Sequence, residues 1–290
     1  MYQQSINHIH HSAVVIAIDC SLSMLSYTHL HGTRMRKIDA ATLIANYAID
    51  ELVARATRGN EVRNYYDIAV ISYSGDGVET IIGNEYGEFI DIKPLVEHTP
   101  QPTLYTIEQQ DSKGELKTTP ITLHEWVKPK ACGDTPMYEA LISIKNLLSD
   151  WCDNPHNRES FPPLVINISD GGYSDADENE ILDIARDIQE LSTADGSTLF
   201  VNIHLATESK NTNHCLVFAT DSDMISMDEE DTLLYKMSSI LPSELERVIT
   251  ELTGRKRRTL FRCFARNASI CEVLAMADIG TEGCHGIKYR

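Results

Sequence analysis

The sequence predicts an α/β fold: a doubly wound, six-stranded, mostly parallel sheet with one antiparallel edge strand and helices on both faces. Residues 13–18 form an apolar run of strand length with no polar interruption, the mark of a strand covered on both faces of a parallel sheet. Segments of helical periodicity separate it from later strand-like runs at 164–169 and 199–205. Gly75-Asp76-Gly77 joins two further runs, 67–74 and 78–82, as a hairpin turn does, which sets one strand antiparallel to the rest.

In chain order, residues 1–11 are polar and read as a flexible leader; His8, His10 and His11 lie close together, but no second ligand group is in view. After the first strand, 25–36 reads as a loop. A helix follows over 37–55, where Ile38, Ala41, Ile44, Ala45, Ala48, Ile49 and Leu52 keep helical spacing. An insertion at 84–132 interrupts the pattern. Its prolines leave little room for a helix, and 103–110 with 115–122 form a second hairpin. Pro136 starts a helix whose apolar stripe is Leu141, Ile144, Leu147, Leu148 and Trp151. The strand at 164–169 delivers Asp170, and a helix over 178–191 turns Ile181, Ile184, Ala185 and Ile188 inward. Strands five and six fall at 199–205 and 215–219, helices at 232–240 and 243–252, the last opened by a capping box of Ser243 and Glu246. The main domain thus covers 12–253. Residues 254–290 form a C-terminal extension packing on it, with a short helix at 270–279 and a basic cluster of Arg255, Lys256, Arg257, Arg258, Arg262 and Arg266.

The bulk properties narrow the function. The chain has 290 residues, 42% hydrophobic and 23% charged, the composition of a soluble globular protein. No apolar run reaches the length of a membrane span. The N-terminus has no basic region followed by an apolar core, which argues for the cytoplasm. Seven scattered cysteines read as reduced thiols, and Cys20 as a buried small residue rather than a nucleophile. A net charge of −18 disfavours nucleic acid, whose phosphates need a basic surface. Asp221, Asp223, Asp228, Glu229, Glu230 and Asp231 read as a solvated acidic loop.

The chemistry concentrates on strand ends. Asp19, Ser21 and Ser23 leave the first strand at spacing i, i+2, i+4, so their oxygens can converge on one point. Oxygen-only ligands suit a hard cation, Mg²⁺ before Zn²⁺. Gly133-Asp134-Thr135-Pro136 offers a hydroxyl before a helix, and Asp170-Gly171-Gly172 repeats the strand-then-carboxylate pattern.

Asp-x-Ser-x-Ser, Gly-x-Thr-Pro and Asp-Gly in this order resemble the metal-ion-dependent adhesion site of von Willebrand factor A (VWA) domains, over roughly residues 12–253. The resemblance implies a Rossmann-like sheet. It further implies a Mg²⁺, with Mn²⁺ or Ca²⁺ as substitutes, held by Ser21, Ser23 and Thr135 directly and by Asp19 and Asp170 through water. An open position would take a Glu or Asp from a partner protein. The sequence departs from the family at Leu22, where Gly is usual, and in the long insertion before Thr135. The chain also resembles signal-less bacterial VWA proteins of stress-response and tellurium-resistance gene sets, which implies a complex with kinases or phosphatases. The expectation is a binding module, not an enzyme. Two alternatives stay open: a metal-dependent hydrolase or phosphatase, and a metal-free scaffold in which Asp19 and Asp170 tie loops as Asx turns do.

Overall fold

The computed structural model describes residues 6–30, 33–110, 116–208, 215–242, 249–250 and 260–268. β1 (Ser12–Asp19) leads through a 3-10 turn (Leu22–Leu25) to a hairpin of β2 (Tyr27–Leu30) and β3 (Thr33–Arg36), then to α1 (Lys37–Ala56). A small hairpin, β4 (Thr57–Arg58) and β5 (Glu61–Val62), precedes β6 (Tyr66–Ser74) and β7 (Gly77–Ile82). β8 (Ile90–Asp91), α2 (Ile92–Val96) and a long hairpin of β9 (Pro102–Gln110) and β10 (Leu116–His124) follow. Then come α3 (Met137–Asp153), β11 (Leu164–Ser169), α4 (Glu178–Glu190) and a further small hairpin, β12 (Ser192–Thr193) and β13 (Gly196–Ser197). β14 (Leu199–His204), β15 (Leu216–Val217), α5 (Glu229–Met237) and β16 (Phe264–Arg266) complete the order.

The main sheet runs β15-β16-β14-β11-β1-β6-β7, with β8 also paired to β6. From β16 to β6 every pairing is parallel. β1 lies inside the sheet between β11 and β6 and is buried along its length, because Val14, Ile16 and Ile18 belong to one core and Ala13, Val15 and Ala17 to the other. α1 packs in the first core; α3, α4 and α5 pack in the second. This is the expected α/β class with helices on both faces. The second core also encloses a polar line across three strands. Tyr73 donates to Asn167 Oδ1 at 2.9 Å, Asn167 Nδ2 to Asn202 Oδ1 at 2.9 Å, and Asn202 Nδ2 to Ser238 Oγ at 3.0 Å.

Several local expectations are corrected. Among the described residues the sheet has eight strands rather than six, and β7, β8 and β15 all run antiparallel to a neighbour. Leu216–Val217 lies at the outer edge, and Phe264–Arg266, from the C-terminal segment, takes the parallel place beside β14. Three residues in a basic stretch show no periodicity; burial of Phe264 and Ala265 and the pairing of Arg266 with Asp231 at 2.9 Å put them there. The expected loop at 25–36 is the β2–β3 hairpin, closed by Arg34 over the Tyr27 ring at 3.6 Å. The insertion does hold a short helix, α2, with Pro94 in the first turn, where its missing N–H costs nothing. Among the described residues β9 and β10 pair only with each other, and their base is fastened to α1. Asp50 accepts from the His124 N–H at 2.9 Å and Trp126 Nε1 at 2.7 Å, and Asn46 bonds both backbone groups of Val127.

The acidic run is structured rather than simply solvated: Asp228 caps α5 and Asp231 is wholly buried. His11 is anchored on Asp67, not part of a loose leader. Residues 1–5, the turn at 111–114, the Ser243–Glu246 box, Arg255 to Arg258 and the helix at 270–279 lie outside the described residues. No described helix is long and apolar enough to cross a membrane.

Candidate metal centre

Open α/β sheets bind ligands beyond the carboxyl ends of their strands, and the five oxygen residues all sit there. Asp19 closes β1 and is fully buried. Its Oδ1 accepts the Ser21 N–H at 2.9 Å, and its Oδ2 accepts the Ser169 hydroxyl at 2.8 Å. No Lys, Arg or His pairs with it among the described residues. Burial first, and the charge of Asp170 second, push its carboxyl up to about 6. Ser21 and Ser23 join oxygen to oxygen at 2.8 Å. Leu22 between them turns its side chain to solvent. The non-glycine residues with positive φ, among those described, are Phe218 and Asn267, so Leu22 takes the place of the usual glycine without backbone strain.

Backbone bonds bring Thr135 to this loop. Leu22 N–H donates to Gly133 O at 2.9 Å, Cys132 N–H to Cys20 O at 2.7 Å, and Gly75 N–H to Cys132 O at 2.9 Å. Gly133 has φ +57°, and a Cβ there would stand 2.5 Å from the Gly75 Cα, so both glycines are needed for the approach. On its other side Thr135 N–H donates to Ser174 Oγ at 3.1 Å, and Ser174 N–H returns to Thr135 O at 3.0 Å. Asp175 caps α3 by accepting from the Tyr138 and Glu139 N–H groups. Asp177 caps α4 in a full capping box.

Asp170 follows β11. A point at the Cβ position of Gly172 lies 3.4 Å from Asp170 Oδ1 and 3.8 Å from Thr135 Oγ1, so both oxygens flank Gly172. Asp170 Oδ1 accepts the Gly172 N–H at 3.3 Å, and Oδ2 accepts Lys37 Nζ at 2.9 Å. Burial alone would raise this carboxyl. The Lys37 ammonium outweighs it, helped by the Ser23 hydroxyl, and holds the group below its usual range. Lys37, at the start of α1, also donates to Thr207 Oγ1 at 2.7 Å. Beneath the loop, His204 meets the Asp170 carbonyl with Nε2 and Asp231 with Nδ1.

All five expected residues therefore gather at one rim, joined by His204 and by Lys37, Ser169 and Thr207, which sequence reading did not single out. Lys37 carried a readable signal: a lysine at the first position of a helix opposes the dipole and needs a reason. The donor set suits a hard cation in kind, being all oxygen with one buried carboxylate unpaired by any cation. Among the described residues no three His, Cys, Asp or Glu gather, so a metal here would rest on hydroxyls as well as two carboxylates. Both aspartates also make the i to i+2 bond of an Asx turn, as the scaffold alternative implies. Cys20 is buried, and burial with the neighbouring Asp19 charge pushes its thiol up to about 12, away from the reactive thiolate.

Among solved structures, the chain is similar to "von Willebrand factor type A from Catenulispora acidiphila", at 13% identity and a TM-score of 0.39, over 79% of this chain and 43% of that one. It thus spans less than half the length of that protein. No protein-family model and no curated protein matches it.

Proposed function

We propose that this chain is a protein-binding module of the VWA type. In this reading it holds Mg²⁺ with Ser21, Ser23 and Thr135, backed by Asp19 and Asp170, and binds an acidic side chain of a partner protein through that ion. The observation that carries it is the meeting of three separate loops at one sheet end, each supplying only oxygen. An apolar rim supports a protein rather than a small solute as ligand: Leu22, Leu25, Tyr27 and Tyr173 are exposed on the same loops. When bound, the ion would supply an electrophilic seat for a carboxylate. The chain's own residues orient the hydroxyls and bury the acids.

Calorimetric titration of Mg²⁺ into the wild type and Asp19→Ala tests the metal: heat in the wild type only is expected, and heat in neither removes the reading. Partner capture with and without chelator, on wild type and Thr135→Ala, tests the adhesion. A partner lost under both treatments is expected; a partner list indifferent to both counts against it. Membership of a stress-response complex would be read from the identity of that partner.

The Lys37–Asp170 pair favours a second reading, a metal-free scaffold in which the ammonium itself neutralises the acid cluster. The same calorimetry separates the two.

A further inference from the structure

Lys37 is buried, and its ammonium stands among the groups assigned to the cation. Its position is costly twice over. Removing an ammonium from water is unfavourable, and the first position of a helix faces the positive end of the dipole. The contacts that offset these costs are Asp170 Oδ2 at 2.9 Å and Thr207 Oγ1 at 2.7 Å. The charge of the site follows. Asp19 and Asp170 carry two negative charges, Lys37 one positive, and the hydroxyls none. The unloaded cluster is therefore a monoanion. A divalent ion entering it leaves a net positive charge instead of neutrality, and one carboxylate from outside restores the balance.

We propose that Lys37 is a resident counter-cation that weakens divalent-ion binding by the free protein and makes it conditional on an acidic ligand, so that metal and carboxylate bind cooperatively. This rests on the metal reading above. A cation fixed beside the ion repels it, and it also adds to the field that draws in an anion. A neutral residue at the position would give a site that loads with metal alone and gains little from the ligand.

The test is titration of Mn²⁺ into the full-length wild type, Lys37→Gln and Lys37→Arg, in sodium chloride and in sodium acetate at equal ionic strength, read as free Mn²⁺ by electron paramagnetic resonance. Lys37→Gln keeps a polar group for Asp170 and Thr207 without the charge. It should bind Mn²⁺ in chloride about tenfold more tightly than the wild type, while Lys37→Arg should stay near the wild type. Acetate should tighten Mn²⁺ binding in the wild type more than in Lys37→Gln. Equal affinities of Lys37→Gln and the wild type in chloride overturn this proposal and leave the metal reading standing. Absence of Mn²⁺ binding by every form in both salts overturns both. Should Lys37→Gln fail to fold, the wild type alone decides: no tightening by acetate overturns the cooperativity.

Discussion

Asp67 enters the sheet where β1 begins, in register with Ala13, and Asp19 leaves it at the other end, in register with Tyr73. Both are largely or wholly buried strand-end carboxylates, and the chain surrounds them differently. Asp67 accepts Trp151 Nε1 at 2.7 Å and meets His11 Nε2 at 3.1 Å. Burial pushes Asp67 up, but the bond from His11 and its charge outweigh that and hold the carboxyl below its usual range. Among the described residues Asp19 has only hydrogen bonds from Ser21 and Ser169, so burial and the charge of Asp170 keep it raised, at about 6. One end of the sheet pairs its acid with His11; at the other, Lys37 pairs with Asp170, while no cation among the described residues pairs with Asp19. The contrast separates an acid held by its own counter-charge from one that, in the proposed function, backs a bound cation.

The contrast can be broken by mutation. Asp67→Ala should have the largest effect, a loss of about 3 kcal/mol in urea unfolding, because it strands the Trp151 indole N–H and removes the charge facing His11, which keeps only its bond to Asn157. A loss much below that would mean the two ends are alike.

Asp19→Asn should act in the opposite direction. The folded pKa lies above the unfolded one, so the folded protein holds the extra proton between about 4 and 6, and stability falls as pH rises through that window. In chelator at neutral pH the variant should be more stable than the wild type by up to about 3 kcal/mol, with the gain vanishing by about pH 4. Thermal melts across that range check it; a destabilised variant would show that the charge of Asp19 is already compensated.

His11→Gln should have the smallest effect, below about 1 kcal/mol, and it sharpens the picture at the structural end. His11 is raised by its bond to Asp67, so its contribution is full below the unfolded value of 6.5 and is lost as pH rises through the folded one. Asp67 is lowered, so its share is present above 3.8 and is lost as pH falls through the folded value. The wild type should lose stability from slightly acid to alkaline pH through this pair, and the variant should not.

Much of this was readable beforehand, and the exceptions have physical reasons. β1, α1, β11, α4 and β14 follow from apolar periodicity that repeats over enough residues to be seen. Asp19, Ser21, Ser23, Thr135 and Asp170 stand out because their motifs are local. β16 did not, since three residues among arginines have no period; a buried aspartate distant in sequence gives Arg266 its place. The acidic run likewise reads as solvated until Asp231 finds His204 and Arg266. Lys37 reaches Asp170 across 133 positions of the chain, a pairing that no local pattern encodes.

The amide line from Tyr73 through Asn167 and Asn202 to Ser238 has a consequence for how the protein can be divided. Each link donates to the next, and each lies on a different segment of the chain. Fragments stopping before residue 199 would leave the Asn167 amide without its acceptor in an apolar interior. Dissecting the protein into autonomous pieces at that point should yield insoluble halves, and a cut in the hairpin beyond α2 also parts Tyr73 from Asn167.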